Sequence, residues 1–223
     1  MLAQRILESN HRIQLRTYIF PHAVQEGSHR AITMADELRF QIYTNLVFGA
    51  SEIIYYAYTC HTNSDRETTI GLVNMYTKEK SQVYYFAKEV NNEVLTFGSA
   101  YRHFTYEGMI AKDTAILFNK NKQIKKLKYS LSSYAGIKSY SVSENTLIGC
   151  FGDVEGQYAY VVMHYADPKT SSDTDTVTIK FNNYNAIIVY QNGEKHAYRL
   201  TNNTYTLTMQ PACGAFIIPI VLQ

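Results

Sequence analysis

A small set of side chains in the first third of this sequence pairs a reactive or ligand-binding type with a position at the end of a regular element. Gln25 and Glu26 close a strand-like run at 16–25, Glu37 and Arg39 open a helix-like run, and Tyr56, Tyr58 and His61 follow a second strand-like run. Glu26 is the only carboxylate near enough to its strand end to serve as nucleophile or proton carrier. Gly27 and Ser28 beside it equally suit an exposed loop. The Gln25 amide offers donor and acceptor together, for a ligand hydroxyl or for the next strand's backbone. Glu37 could orient Arg39 or a loop amide, or both could sit on an exposed first turn favoured by the helix dipole. Alternation puts Tyr56 and Tyr58 on one face, lining a cleft or packing on a helix. His61, in the loop CHTNSDRE, could contact substrate or donate a proton, or be merely exposed.

Other chemistries lack their residues. The histidines show no HExxH or HxH spacing, and Cys60, Cys150 and Cys213 are far apart, so neither a metal centre nor a disulfide framework is indicated. The cysteines leave the compartment open. No GxGxxG, GxxxxGK[ST] or GxSxG run occurs. Asp173 and Asp175 supply too few oxygens for calcium, which needs about six to eight. No cofactor is expected. Net charge is +2, too near neutral to favour nucleic acid or an anionic membrane, and no apolar run reaches spanning length. The charge run 120–128, KNKQIKKLK, is a polyanion patch or a solvated connector.

The elements that must hold these residues are legible from period. Thr33 with Asp36 and Glu37 predicts a helix start, Leu38, Ile42, Leu46 and Val47 recur at helical spacing, and Gly49 predicts a left-handed stop. EIIYYAY (52–58) comes next as a strand without clean alternation, as expected when both faces are covered. A second helix is predicted over 78–97, with Val83, Phe86, Ala87, Val90, Val94 and Leu95 on one side and Gly98 at its end. From about 106 the period shifts toward two. Strands are expected at 114–118, 139–143, 146–151, 158–165, 176–181, 186–191, 195–200, 205–209 and 215–222, with an Asn-Gly hairpin at 192–193 and a polar loop at 166–175.

The phrases RTYIFPHAVQ, EGSHRAIT, ELRFQIYTNLVFGA and EIIYYAY resemble the seventh and eighth βα units of glycoside hydrolase (β/α)8 barrels of the β-galactosidase-like kind, and 71–101 resembles the helix after the last strand. The fold class this implies is α/β plus all-β: a partial (β/α)8 barrel over 1–105, then an antiparallel β-sandwich over 106–223. With 223 residues, about half of them in hairpins, the chain cannot hold eight βα units, which need roughly 200–250 residues. The opening MLAQRILESNHRIQL reads as a helix end entering a strand, as in the C-terminal piece of a longer protein.

Such hydrolases place two carboxylic acids across an O-glycosidic bond. The resemblance implies a carbohydrate substrate, Glu26 as the catalytic carboxylate, and Gln25, Glu37, Arg39, Tyr56, Tyr58 and His61 around the sugar. It also implies a chain that is incomplete as a catalyst, because the second acid would precede it. Tyrosine, 20 residues, can stack on sugar rings, whereas the absence of tryptophan counts against a complete cleft. Open strand edges would favour self-association through the incomplete barrel. The alternative is a non-catalytic carbohydrate- or protein-binding β-sandwich module.

Overall fold

The computed structural model describes residues 14–25, 28–60, 71–112 and 131–223. They form β1 (Leu15–Ile19), β2 (His22–Gln25), β3 (Ser28–Ala31), α1 (Ala35–Val47), β4 (Ala50–Tyr55), β5 (Thr59–Cys60), β6 (Val73–Asn74) and α2 (Gln82–Tyr101). The remaining elements are all strands: β7 (Thr105–Ala111), β8 (Ile137–Ser141), β9 (Thr146–Gly152), β10 (Tyr158–His164), β11 (Asp175–Phe181), β12 (Ala186–Gln191), β13 (Glu194–Arg199), β14 (Thr204–Met209) and β15 (Gly214–Ile220). Glu26, His61, the strand expected at 114–118 and the charge run 120–128 lie outside the described residues.

β1 and β4 are parallel neighbours, with Arg16 opposite Glu52 and Ile19 opposite Tyr55. Parallel strands need a long crossover connection, and α1 supplies it. The run 16–25, expected as one strand, instead divides at Phe20 and Pro21. Proline has no N–H with which to continue a ladder. The chain turns there into an antiparallel hairpin, β2–β3, in which Gln25 opposes Ser28.

Both helices differ from expectation at their ends. The N-cap of α1 is Met34 rather than Thr33. Thr33 donates its backbone N–H and its hydroxyl to Glu37 Oε1, each at 3.1 Å. Gly49 (φ 82°) stops α1 as expected, and a Cβ there would lie 2.5 Å from Tyr106 Cβ. α2 begins at Gln82, where Ser81 Oγ accepts the Tyr84 N–H at 3.4 Å, and runs through Gly98 to Tyr101. The roughly 1 kcal/mol that a mid-helix glycine costs is outweighed by tertiary contacts. The Tyr101 hydroxyl bridges the Leu46 and Ala50 carbonyls at 3.2 and 3.0 Å, tying the last turn of α2 to the end of α1 and the start of β4. Leu95, expected on the buried side, is 73% exposed. The inner stripe is Val83, Ala87, Val90, Phe97 and Tyr101, which leaves Leu95 on the outside.

β7, β9, β10, β15, β12 and β13 make a six-stranded antiparallel sheet, and β8, β11 and β14 a three-stranded one. The Asn-Gly hairpin between β12 and β13 forms as expected, with Asn192 and Gly193 at φ 53° and 79°. β7 has no clear signature in the sequence, because Gly108 and a register shift between Tyr106 and Gly108 break its alternation.

The six-stranded sheet serves two cores. Leu147, Phe151, Ala159, Val161, Met163, Tyr190 and Phe216 face the helices, where Phe97 stacks on Phe216 with ring centroids 5.4 Å apart. The intervening Ile148, Cys150, Tyr160, Val162, Ile187, Val189, Ala215 and Ile217 face Val177, Ile179, Phe181, Leu207 and Met209 of the smaller sheet. Each such fully buried aliphatic or aromatic side chain contributes about 1.5–3 kcal/mol by leaving water. The helix-side core draws on residues on both sides of position 105. The fold is thus mixed helix and sheet: among the described residues, two parallel pairs, β1–β4 and the short β5–β6, stand with the β2–β3 hairpin beside the two larger antiparallel sheets.

Candidate functional site

Strand alternation divides β1 cleanly. Thr17 and Ile19 turn toward the helices, whereas Arg16 and Tyr18 turn away from them. In β4, Ile53 and Tyr55 pack on the helix-side core, so Glu52 and Ile54 join Arg16 and Tyr18 on the opposite face. At the foot of this face Arg16 Nε meets Glu52 Oε2 at 2.9 Å. At its head, the C-terminal ends of both strands, Tyr56 meets Tyr18 and Phe20 edge-on, with ring centroids at 6.0 and 6.2 Å. Tyr18 is 57% and Tyr56 60% exposed. Such rings present an apolar π surface that can receive the C–H face of a sugar.

The surrounding elements fix this aromatic step. The Tyr56 N–H donates to the Ile19 carbonyl at 2.9 Å, extending the ladder one residue past β4. Gln41 on α1 grips the chain where it leaves β1: its Oε1 accepts the Phe20 N–H at 2.9 Å, and its Nε2 donates to the Phe20 carbonyl at 3.0 Å. Beneath, the Tyr55 hydroxyl donates to Asn91 Oδ1 at 2.8 Å on α2. Burial pushes the Tyr55 phenol up to about 12, although the bond to Asn91 works against the shift.

The sequence candidates distribute unevenly around this step. Tyr56 belongs to it. Tyr58 is 58% exposed, and its carbonyl accepts the Val73 N–H at 2.9 Å where β5 begins. β4 ends at Tyr55, so the alternation argument for Tyr56 and Tyr58 does not extend to them. Gln25 sits at the last paired position of the β2–β3 hairpin rather than at the end of β1.

Glu37 and Arg39, expected at the mouth of the strands, are buried framework residues. Glu37 turns back to Thr33 and lies 3.7 Å from Lys169 Nζ. Arg39, only 8% exposed, reaches α2: its Nε donates to both Glu93 oxygens at 3.2 and 3.1 Å, its Nη2 to Glu89 Oε1 at 2.9 Å, and its Nη1 to Asp36. Burial alone would lower the guanidinium's hold on its proton, but Glu93 more than offsets this and the shift is upward. Asp175, weighed for calcium, instead takes a hydrogen bond from the buried Thr146 hydroxyl.

Tyr18, Phe20 and Gln41 are the site residues that sequence reasoning misses. The alternation in RTYIF, which sets 16, 18 and 20 against 17 and 19, could have found the two aromatics. Nothing local marks Gln41, because its partner is a backbone unit 21 positions away.

Among the described residues, the face formed by β1 and β4 carries one carboxylate, Glu52. It is already paired with Arg16 and lies four positions, roughly 13 Å along a strand, from Tyr56. Glycosidic hydrolysis by paired acids needs a separation of roughly 5–9.5 Å. Among the described residues this face thus carries exposed rings at its head and a paired carboxylate at its foot. Among the described residues no three His, Cys, Asp or Glu side chains gather as metal ligands, and no helix is long and apolar enough to cross a membrane.

No family profile matches the chain, and no curated protein sequence is similar to it at a significant level. The solved structures to which it is similar include a GH30 endoxylanase from Clostridium papyrosolvens C71, at 10% identity and a TM-score of 0.39 over 84% of this chain and 38% of that one. They also include a putative alpha-N-acetylgalactosaminidase from Bacillus halodurans C-125, at 6% identity and a TM-score of 0.47 over 92% of this chain and 37% of that one. A third is a GH27 β-L-arabinopyranosidase from Geobacillus stearothermophilus, at 9% identity and a TM-score of 0.45 over 92% and 36%. The chain spans well under half the length of each.

Proposed function

We propose that this chain is the C-terminal part of a glycoside hydrolase. In this reading β1, α1, β4 and α2 are the last two βα units of a (β/α)8 barrel, residues 1–105, and 106–223 is an accessory antiparallel β-sandwich. The observation that carries the reading is the parallel β1–β4 pair, with helices on one face and exposed rings on the other. Parallel sheets are almost always covered on both faces, and a two-stranded sheet is marginal alone. A barrel lined by such strands would enclose Tyr18 and Ile54, and would leave Tyr56 at its C-terminal rim, where active sites of that fold sit.

The substrate is a carbohydrate held against Tyr18 and Tyr56, with Gln25, Tyr58 and His61 as further contacts and Glu26 as one of the two acids. Glu37 and Arg39 serve as framework. The chain by itself is a sugar-holding remnant that lacks the second acid.

Two measurements on the full chain test this. Titration calorimetry with a panel of oligosaccharides should show weak binding that Tyr56→Ala reduces by about tenfold, the scale of a lost ring contact. The same chain should turn over no aryl glycoside, β-galactosides included. Turnover abolished by Glu26→Gln would overturn the incompleteness. Saccharide binding indifferent to Tyr18→Ala and Tyr56→Ala would move recognition to the β-sandwich and sink the barrel-rim site.

A further inference from the structure

At the opposite end of the parallel pair, where β1 and β4 begin, a cavity of about 550 Å³ opens between α2 and the six-stranded sheet. Its size falls in the range of small-molecule sites, roughly 300–1,000 Å³. Its walls include Ser51, Glu52, Arg102, Phe104, Tyr106 and Phe151.

Charge sorts what could enter. Glu52 is neutralised by Arg16 at 2.9 Å and so opposes an entering anion only weakly. Arg102, one residue past α2, makes no ion pair among the described residues and leaves a guanidinium at the cavity uncompensated. A guanidinium fork matches a carboxylate in two parallel hydrogen bonds.

A second, independent observation lies deeper. Tyr106 lines the cavity at only 7% exposure, and its hydroxyl bonds no other described residue. Its ring is fixed by Phe151, with centroids 5.6 Å apart, and by close contact with Gly49, where no side chain could fit. Burial shifts the phenol upward, so it keeps its proton and stays a donor. The partly buried Phe104 adds apolar ring surface to the same walls, with the buried Phe151 behind Tyr106.

We propose that this cavity binds a ring compound bearing a carboxylate, with the acid group on Arg102, the ring against Phe104, and a ring substituent or carboxylate oxygen on the Tyr106 hydroxyl. An aromatic acid and a sugar acid share this chemistry. The site is separate from the Tyr56 rim and does not depend on the hydrolase reading.

The test is titration calorimetry of the full chain with benzoate, with glucuronate, and with uncharged benzamide. Binding of either acid with Kd below about 1 mM, and of benzamide at least tenfold more weakly, supports the site. Benzoate alone identifies an aromatic acid as the ligand class, and glucuronate alone a sugar acid. Arg102→Ala should weaken the binding about tenfold or more, and Tyr106→Phe, which keeps the ring, several-fold. The proposal is overturned if neither acid binds at about 10 mM, if benzamide binds as well as benzoate, or if both variants, folded by circular dichroism, bind as the parent does.

Discussion

The β1–β4 pair and the six-stranded sheet meet the same helices and differ in what lies behind them. The antiparallel sheet is covered twice, by helices on one face and by the β8–β11–β14 sheet on the other, and its central strands bury nearly every residue. Among the described residues the parallel pair is covered once, and its other face ends in exposed tyrosines. One region therefore uses its aromatic residues for stability, while the other leaves them free to meet something else.

The sharpest way to break that contrast is to remove a ring from each region. Phe216 is fully buried among Phe97, Tyr101, Phe104 and Tyr190, and Phe216→Ala should cost about 3–5 kcal/mol in urea unfolding. Next comes the clasp between the helices. Arg39→Ala strands the buried Glu93 carboxylate and should cost about 3 kcal/mol by the same measurement. Gly49→Ala forces a side chain into a left-handed position against Tyr106, for a loss of about 1–3 kcal/mol.

Alkaline pH probes the covered region through its phenols. Tyr55 rises from an ordinary 10.0 to about 12, so its contribution is intact below pH 10 and is lost as pH climbs through 12. Tyr43, Tyr101, Tyr106 and Tyr160 are shifted upward mainly by burial. The share of phenolate absorbance that these buried rings contribute should therefore appear together with unfolding above pH 10, not before it. The smallest effect is expected at the open face. Tyr18→Ser combined with Tyr56→Ser should change stability by no more than about 0.5 kcal/mol yet lower the sedimentation coefficient, if that face is where copies of the chain associate.

Legibility in the sequence tracks the reach of the interactions. The α1 stripe, the Gly49 stop, the Asn192-Gly193 turn and strand 186–191 depend on neighbours in the chain, and all are readable. The end of α2 is not, because Gly98 argues for a stop and the contact that overrules it joins Tyr101 to carbonyls more than 50 positions away. The break at Pro21 is visible in residue type, but the strong β-formers on either side mask it. The site suffers most. Arg39 resembles a ligand-binding arginine until Glu93, 54 positions on, is seen to claim it.

The shared sheet carries one more consequence. Residues such as Phe151 and Phe216 form the floor beneath α1 and α2, while Ile148 and Ile217 one step away form the ceiling over the smaller sheet. Cutting the chain at position 105 would strip the floor from the helices and bare a broad oily surface on the C-terminal half. A cut there should therefore cost both parts stability, because each loses the partner that covers its apolar face.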